Sequence, residues 1–309
     1  MKLINKKLTM KKIIIVLLAS ISLSTFAQQD STAVEQSNIQ NYTPSKLLEK
    51  GKLDIKWFNN LYTQTERTDK GVKSTIARES YFTTSLEIFT GVSNNKKLNA
   101  GLIVEYRYNV FAFQDNPLIS FINSDDKIRS GLSHIAPSIK VSPFNKLSNF
   151  SVQSSLFIPV FKEETNENGF LAANSYIWQN RFFYDYTFKG NKFQLFTELS
   201  TRLFFGEKSL NDDKTQNKNG GYANNSIEFA PSVFLSYFAS SKSTVFTFVQ
   251  HSQLLDLGNN FEQNYSAVGL GAKYQLSKVL NVETIYSKFV RGADTGLGQS
   301  FNLGLRAIF

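Results

Sequence analysis

The chain predicts an all-β fold: a single antiparallel, up-and-down transmembrane β-barrel of 12 strands. Three observations predict it. Apolar and polar residues alternate with a two-residue period from about Leu53 to the last residue, Phe309. The connections between these segments alternate between short and long. Aromatic residues make up 14% of the chain, with 28 Phe and 13 Tyr. Yet past the N-terminal region no run approaches the roughly 18 consecutive apolar residues of a spanning helix.

The N-terminus reads as a secretory leader over residues 1–27. Lys2, Lys6, Lys7, Lys11 and Lys12 form a basic region, Ile13 to Leu18 begin an apolar one, and Thr25-Phe26-Ala27 places small residues for cleavage before Gln28. The apolar part is shorter than the roughly 20 residues that a spanning helix needs. The chain has no cysteine, which excludes a cysteine-linked lipid anchor, disulfides, thiolate metal sites and cysteine nucleophiles. The formal charge of +9 includes the five leader lysines, so +4 remains over the following 282 residues. No basic stripe with interleaved aromatics appears, which excludes a nucleic-acid partner. Nucleotide loops, zinc spacings and recognisable carboxylate pairs are also missing, so no cofactor and no metal is expected.

Residues 28–50 are polar and without period, and read as a flexible periplasmic segment. Residues 51–309 form the expected barrel. Its strands read as 52–65, 80–93, 98–113, 132–142, 148–160, 174–188, 193–206, 226–239, 243–254, 264–276, 280–290 and 298–309. Five connections are short: Asn94-Asn95-Lys96-Lys97, Phe144-Asn145-Lys146-Leu147, Lys189-Gly190-Asn191-Lys192, Ser240-Ser241-Lys242 and Ser277-Lys278-Val279. The alternate ones are longer, at about 66–79, 114–131, 161–173, 207–225, 255–263 and 291–297. Short periplasmic turns, long extracellular loops and an even strand number are properties of outer-membrane barrels, and they put both termini in the periplasm. A soluble sandwich would use strands of about five or six residues, well short of these. Ala136-Pro137-Ser138-Ile139 and Ala230-Pro231-Ser232-Val233 form a faint repeat. Proline cannot donate to a ladder, so a bulge or kink is expected at Pro137 and Pro231.

The last nine residues place Phe301, Leu303, Leu305, Ala307 and Phe309 on one face. This ending resembles the C-terminal sorting signal of Gram-negative outer-membrane barrels. Phe301, Leu303, Leu305 and Phe309 would carry that assembly signal, which implies the barrel-assembly machinery and periplasmic chaperones as partners. The strand layout as a whole is similar to that of twelve-stranded, transporter-like outer-membrane proteins, including the phenol-degradation-pathway MetA family. The resemblance implies a porin-like transporter in the outer membrane. It is one of layout, and no functional residue is carried over from it.

Parity assigns the two faces of each strand. Leu98, Ala100, Leu102, Val104, Tyr106 and Tyr108 face lipid on the third strand; Tyr176, Trp178, Phe182, Tyr184, Tyr186 and Phe188 on the sixth; Phe193, Leu195, Leu199 and Leu203 on the seventh. The inward set collects six cations, Arg107, Lys140, Arg181, Arg202, Lys273 and Arg306. Six carboxylates oppose them: Glu87, Glu105, Asp185, Glu198, Glu228 and Glu283. Two readings stand. The charges line an aqueous path for small solutes, or they form salt bridges that brace and partly fill a narrow barrel.

Other polar features carry less. The turn lysines suit either lipid phosphates or ordinary turn chemistry. The loop Asn211-Asp212-Asp213-Lys214 lacks the spacing of a calcium loop. The two histidines, His134 and His251, read as inward polar residues, with neighbouring Ser133 and Ser252 on the opposite face. A serine–histidine mechanism needs both side chains on one face, so no enzyme is expected. A passive channel is the leading function, with a non-conducting interaction barrel or accessory envelope subunit as the alternative. A lipid-modifying enzyme is the third.

Overall fold

The computed structural model describes residues 43–69, 71–113, 128–161, 171–208, 221, 223–257 and 263–309. The expected leader, residues 28–42 and most of four of the longer loops lie outside the described residues. The chain divides into two units, Met1–Gln36 and Ser37–Phe309, and everything below concerns the second.

Twelve strands follow one another: β1 (Leu53–Asp69), β2 (Val72–Gly91), β3 (Leu98–Phe113), β4 (Ile128–Val141), β5 (Phe150–Pro159) and β6 (Ile177–Thr187), then β7 (Phe193–Phe204), β8 (Ser226–Phe238), β9 (Ser243–Asp256), β10 (Gln263–Gln275), β11 (Leu280–Ala293) and β12 (Gln299–Ile308). Each pairs antiparallel with its sequence neighbours, and β1 pairs with β12, so the sheet is a closed barrel. An open edge in hydrocarbon would strand N–H and C=O groups at a cost of several kcal/mol each. Closure removes that edge. Lys56 stands opposite Arg306 and Leu61 opposite Phe301 in the closing register. The seam ends with Phe309 N–H donating to the Leu53 carbonyl at 2.8 Å and Leu53 N–H donating back at 3.2 Å.

The outer face carries Trp57, Leu86, Leu102, Tyr106, Trp178, Tyr186, Leu199, Val249, Leu270, Phe301 and Leu303, all exposed. We call the end with the short turns and the start of β1 the turn end, and the other the loop end.

Two features of the ladder differ from expectation. Residues 66–79, read as a long loop, are mostly strand: β1 and β2 continue as a two-stranded ribbon in which Asp69 pairs with Val72. Its turn contains Gly71 at φ +80°. Both faces of the ribbon are polar, so Glu66, Arg67, Lys73 and Ser74 give no apolar alternation to read. The alternation of short and long connections therefore fails at its first member. The prolines do not bulge either. Pro137 and Pro231 hold the register on one side, opposite Leu102 and Leu199. On the other side the pairing skips them and resumes in the same register, at Ser138–Ser155 and Ser232–Gln250. The missing N–H opens the ladder without displacing it. Register shifts occur instead at Gln64/Glu66, Arg78/Ser80, Glu105/Tyr106 and Ser266/Ala267.

Inside, phenylalanine rings lie against glycine on the next strand. A Cβ on Gly271 would strike the Phe246 ring and the Thr284 carbonyl; one on Gly269 would strike Phe248 and the Tyr286 carbonyl; one on Gly101 would strike Phe89. Absent side chains let the rings lie flat along the wall. Gly271→Ala is therefore expected to cost about 1–3 kcal/mol, the usual penalty of overpacking, in urea titrations of vesicle-embedded protein.

Candidate functional site

The inner face of the barrel is the site. Alternation points every second residue of each strand inward, and closure gathers the inward rows of β1, β2 and β6 to β12 around a cavity of about 580 Å³. The cavity runs from Thr43, Pro44, Lys273 and Asn281 near the turn end to Tyr62, Gln250, Tyr265 and Phe289 near the loop end.

Of the twelve predicted charges, Glu87, Arg181, Glu198, Arg202, Glu228, Lys273, Glu283 and Arg306 line this cavity. The other four, Glu105, Arg107, Lys140 and Asp185, share the inward parity and are covered by neighbouring groups. The structure joins most of them in pairs. Arg181 Nε donates to Glu198 Oε1 at 2.7 Å, and Nη2 to Oε2 at 3.2 Å. Arg202 meets Glu228 at 2.5 Å and Lys273 meets Glu283 at 2.8 Å. Arg107 donates to Glu105 at 2.7 Å. Arg306 grips Asp54 with Nε at 2.9 Å and Nη2 at 2.6 Å. Asp54 and its same-face neighbour Lys56, directly opposite Glu87, were not among the predicted charges. The signal was in β1: exposed Trp57 fixes the outer face, and Asp54, Lys56, Phe58, Asn60 and Tyr62 then fall inside.

These ion pairs share one geometry. Each joins adjacent strands, β6–β7, β7–β8, β10–β11 or β12–β1, or two residues of one strand. They run along the wall and none crosses the cavity. Phenylalanine supports them from below: the Arg181 guanidinium sits 4.9 Å over Phe183, Lys56 4.7 Å over Phe58 and Lys273 5.6 Å over Phe246. An aromatic strip continues from Phe183 through Phe196 and Phe234 to Phe248, with ring centroids 6.1, 5.6 and 4.9 Å apart.

The histidines separate. His134 is inward and buried, edge-on to Phe157 and Phe161. Ser133 does not point away from it. The register shift at Glu105/Tyr106 brings both residues inside, and Ser133 Oγ donates to Glu105 Oε1 at 2.8 Å. His134 Nδ1 stands 3.6 Å from the same oxygen, beyond hydrogen-bond length. His251, read as inward, is on the outer face with Val249 and Leu255, and its Nδ1 lies 3.0 Å from Ser266 Oγ on β10. Ser252 is the inward residue, donating to Glu228 at 2.6 Å.

Residues 43–49, expected to be a flexible segment, lie inside the barrel. Ser45 is fully buried, and Thr43 and Leu48 are nearly so. This strap turns in at Lys50–Lys52, where Lys50 bridges to Gly91. It then follows the inner wall from β2 to β6.

Neither a family model nor a curated protein sequence matches the chain. Solved structures do. The COG4313 outer membrane channel from Pseudomonas putida F1 superposes with a TM-score of 0.67 at 10% identity, over 86% of this chain and 98% of that one. The β domain of the Bordetella autotransporter BrkA does so with a TM-score of 0.52 at 12% identity, over 84% and 99%. The chain has the fold of a twelve-stranded outer-membrane β-barrel. That likeness is one of architecture, so the function has to be read from this chain's own inner face.

The pair Arg181–Glu198 offers a direct measurement. Removing one partner leaves a desolvated charge, whereas removing both does not. We expect Arg181→Met and Glu198→Leu each to destabilise the barrel in urea titrations. The double variant should lose less than their sum, with a coupling of about 1–3 kcal/mol.

Proposed function

We propose that the chain is a passive outer-membrane channel for small solutes. Its turn end and both termini face the periplasm, its loops face outward, and outer-membrane lipids surround it. The observation that carries this reading is the direction of the ion pairs. Bracing that crossed the lumen would plug it, but pairs laid along the wall stiffen the barrel and leave the cavity free. The added Asp54 and Lys56 carry one charge of each sign, so the lumen we infer is charge-balanced and weakly selective among ions. Phe309 and its same-face neighbours Phe301, Leu303 and Leu305 act in assembly, as a signal read by periplasmic chaperones and the barrel-assembly machinery.

A second reading, a non-conducting interaction barrel or accessory subunit, draws support from the strap, which narrows the turn end. Catalysis draws little. The outer-face Ser266–His251 contact pairs a hydroxyl with an imidazole, but a working triad also needs an orienting acid and oxyanion donors. Among the described residues, no acid forms a hydrogen bond or ion pair with His251. The chain is therefore proposed to be no enzyme. The parent and His251→Ala should release equal, background amounts of fatty acid from phospholipid vesicles.

Planar-bilayer recording and liposome swelling test the channel. We expect small unitary currents, a reversal potential close to zero across a KCl gradient, and swelling in small sugars or amino acids. Arg202→Gln, which leaves Glu228 without its 2.5 Å partner, should shift the reversal potential toward cation selectivity. A correctly folded sample that passes neither ions nor small solutes would overturn the proposal.

A further inference from the structure

The strap is bound as a peptide is bound in a recognition site. Its backbone carbonyls at Pro44 and Lys46 accept from Lys140 Nζ, the second at 3.2 Å. Leu48 N–H donates to Asn99 Oδ1 at 3.2 Å. Ser45 Oγ donates to Asp185, whose other oxygen meets Lys46 Nζ at 3.6 Å. The Leu48 side chain enters an apolar pocket of Phe89, Ile103 and Ala136, closed by Phe157 and Ile308. Gly91 carries no side chain where the strap passes: a Cβ there would fall within the Glu49 carbonyl. The barrel thus supplies an ammonium for carbonyls, an amide oxygen for an N–H, a carboxylate for a lysine and a pocket for a leucine.

Most of the contacts that hold the strap are polar. Leu48 is the single deep apolar anchor, and the polar contacts exchange with lumen water when the strap leaves. Elements held this way belong to the low-stability end of a structure. The strap also narrows the path, since Thr43 and Pro44 form part of the cavity wall.

We infer that the turn-end mouth, built on Lys140, Asp185, Asn99 and the Leu48 pocket, is a peptide-docking site filled in cis by residues 43–49. Vacating that site opens the channel. The inference rests on the channel reading and adds a gate to it. The occupant's chemistry is that of this chain's own segment Thr-Pro-Ser-Lys-Leu-Leu-Glu: a turn at Pro44–Ser45 closed by Lys46 N–H donating to the Thr43 carbonyl at 3.1 Å, one lysine and one leucine anchor.

The test uses the whole protein with Ser45→Asp and Lys46→Glu combined. These set carboxylates against Asp185 and leave every barrel strand unchanged. Leu48→Asp, which removes the apolar anchor, serves as the second variant. Chymotrypsin, cutting after Leu47 or Leu48, reports docking independently of current. Release should make that site cleavable in the variants while the parent resists. Unitary conductance in planar bilayers should rise several-fold. A synthetic peptide of residues 43–49, added to the turn-end side, should return it toward the parental value, and a scrambled peptide should not. If the parent is cleaved as fast as the variants, docking itself is overturned. If the strap is released and conductance stays parental, the gate falls while the channel stands. An opened variant that the peptide leaves open overturns the docking site. Silence from both parent and released variants overturns the channel, and the gate with it.

Discussion

Hydrogen-bond satisfaction of the backbone in hydrocarbon is the constraint on which the rest depends. A strand edge left open in lipid has no water to turn to, so the sheet must close. The seam between Leu53 and Phe309 makes that closure. Once the sheet is closed, alternation loses its freedom: every second side chain must enter a confined interior. Charges that enter must find partners there. Arg306 shows the chain of causes well. Its place in the closing strand sends it inward, and the same seam brings Asp54 of β1 within 2.6 Å. Closure and charge pairing are one arrangement seen at two levels.

The strand order, the inward charges and the lipid-facing aromatics were legible because a two-residue period with one wet face and one greasy face leaves a plain pattern. Reading failed where that contrast disappears. The ribbon of β1 and β2 around Arg67 and Lys73 is polar on both faces. Strand β9 is the opposite case, with Val245 and Val249 outside and Phe246 and Phe248 inside, so hydrophobicity assigns neither face. His251 was misplaced for that reason. Ser133 was lost to a different cause, since a bulge adds a residue and changes parity within one strand. The strap escaped altogether. Thr43 to Glu49 has no period, and its affinity for the wall depends on Lys140 and Asp185, far along the chain.

The interior solves a packing problem that an ordinary core does not have. A core is filled, whereas this wall must be stiff and leave space beside it. Flat rings provide part of the answer. Phe246 and Phe248 use the room over Gly271 and Gly269 and contribute thickness along the wall in place of bulk toward the axis. The cations then rest on rings: Arg181 lies over Phe183 with its head on Glu198, and Lys273 over Phe246 with its head on Glu283, each carboxylate on an adjacent strand. A charge so held costs less to bury, because ring and carboxylate together replace part of the water it gives up.

Lys140 and Asp185 stand apart from this economy of neighbours. The other paired charges of the wall find their opposites on their own or an adjacent strand. Lys140 donates to strap carbonyls and Asp185 meets strap groups at Ser45 and Lys46. Gln194 is the wall residue that also reaches Asp185, at 3.4 Å. These two charges on β4 and β6 thus complete their contacts with a segment outside the sheet. A barrel requiring only rigidity gains nothing from such an arrangement, since a pair across adjacent strands braces as well without a peptide. Charges that look inward for a partner make sense where the partner is meant to arrive and leave.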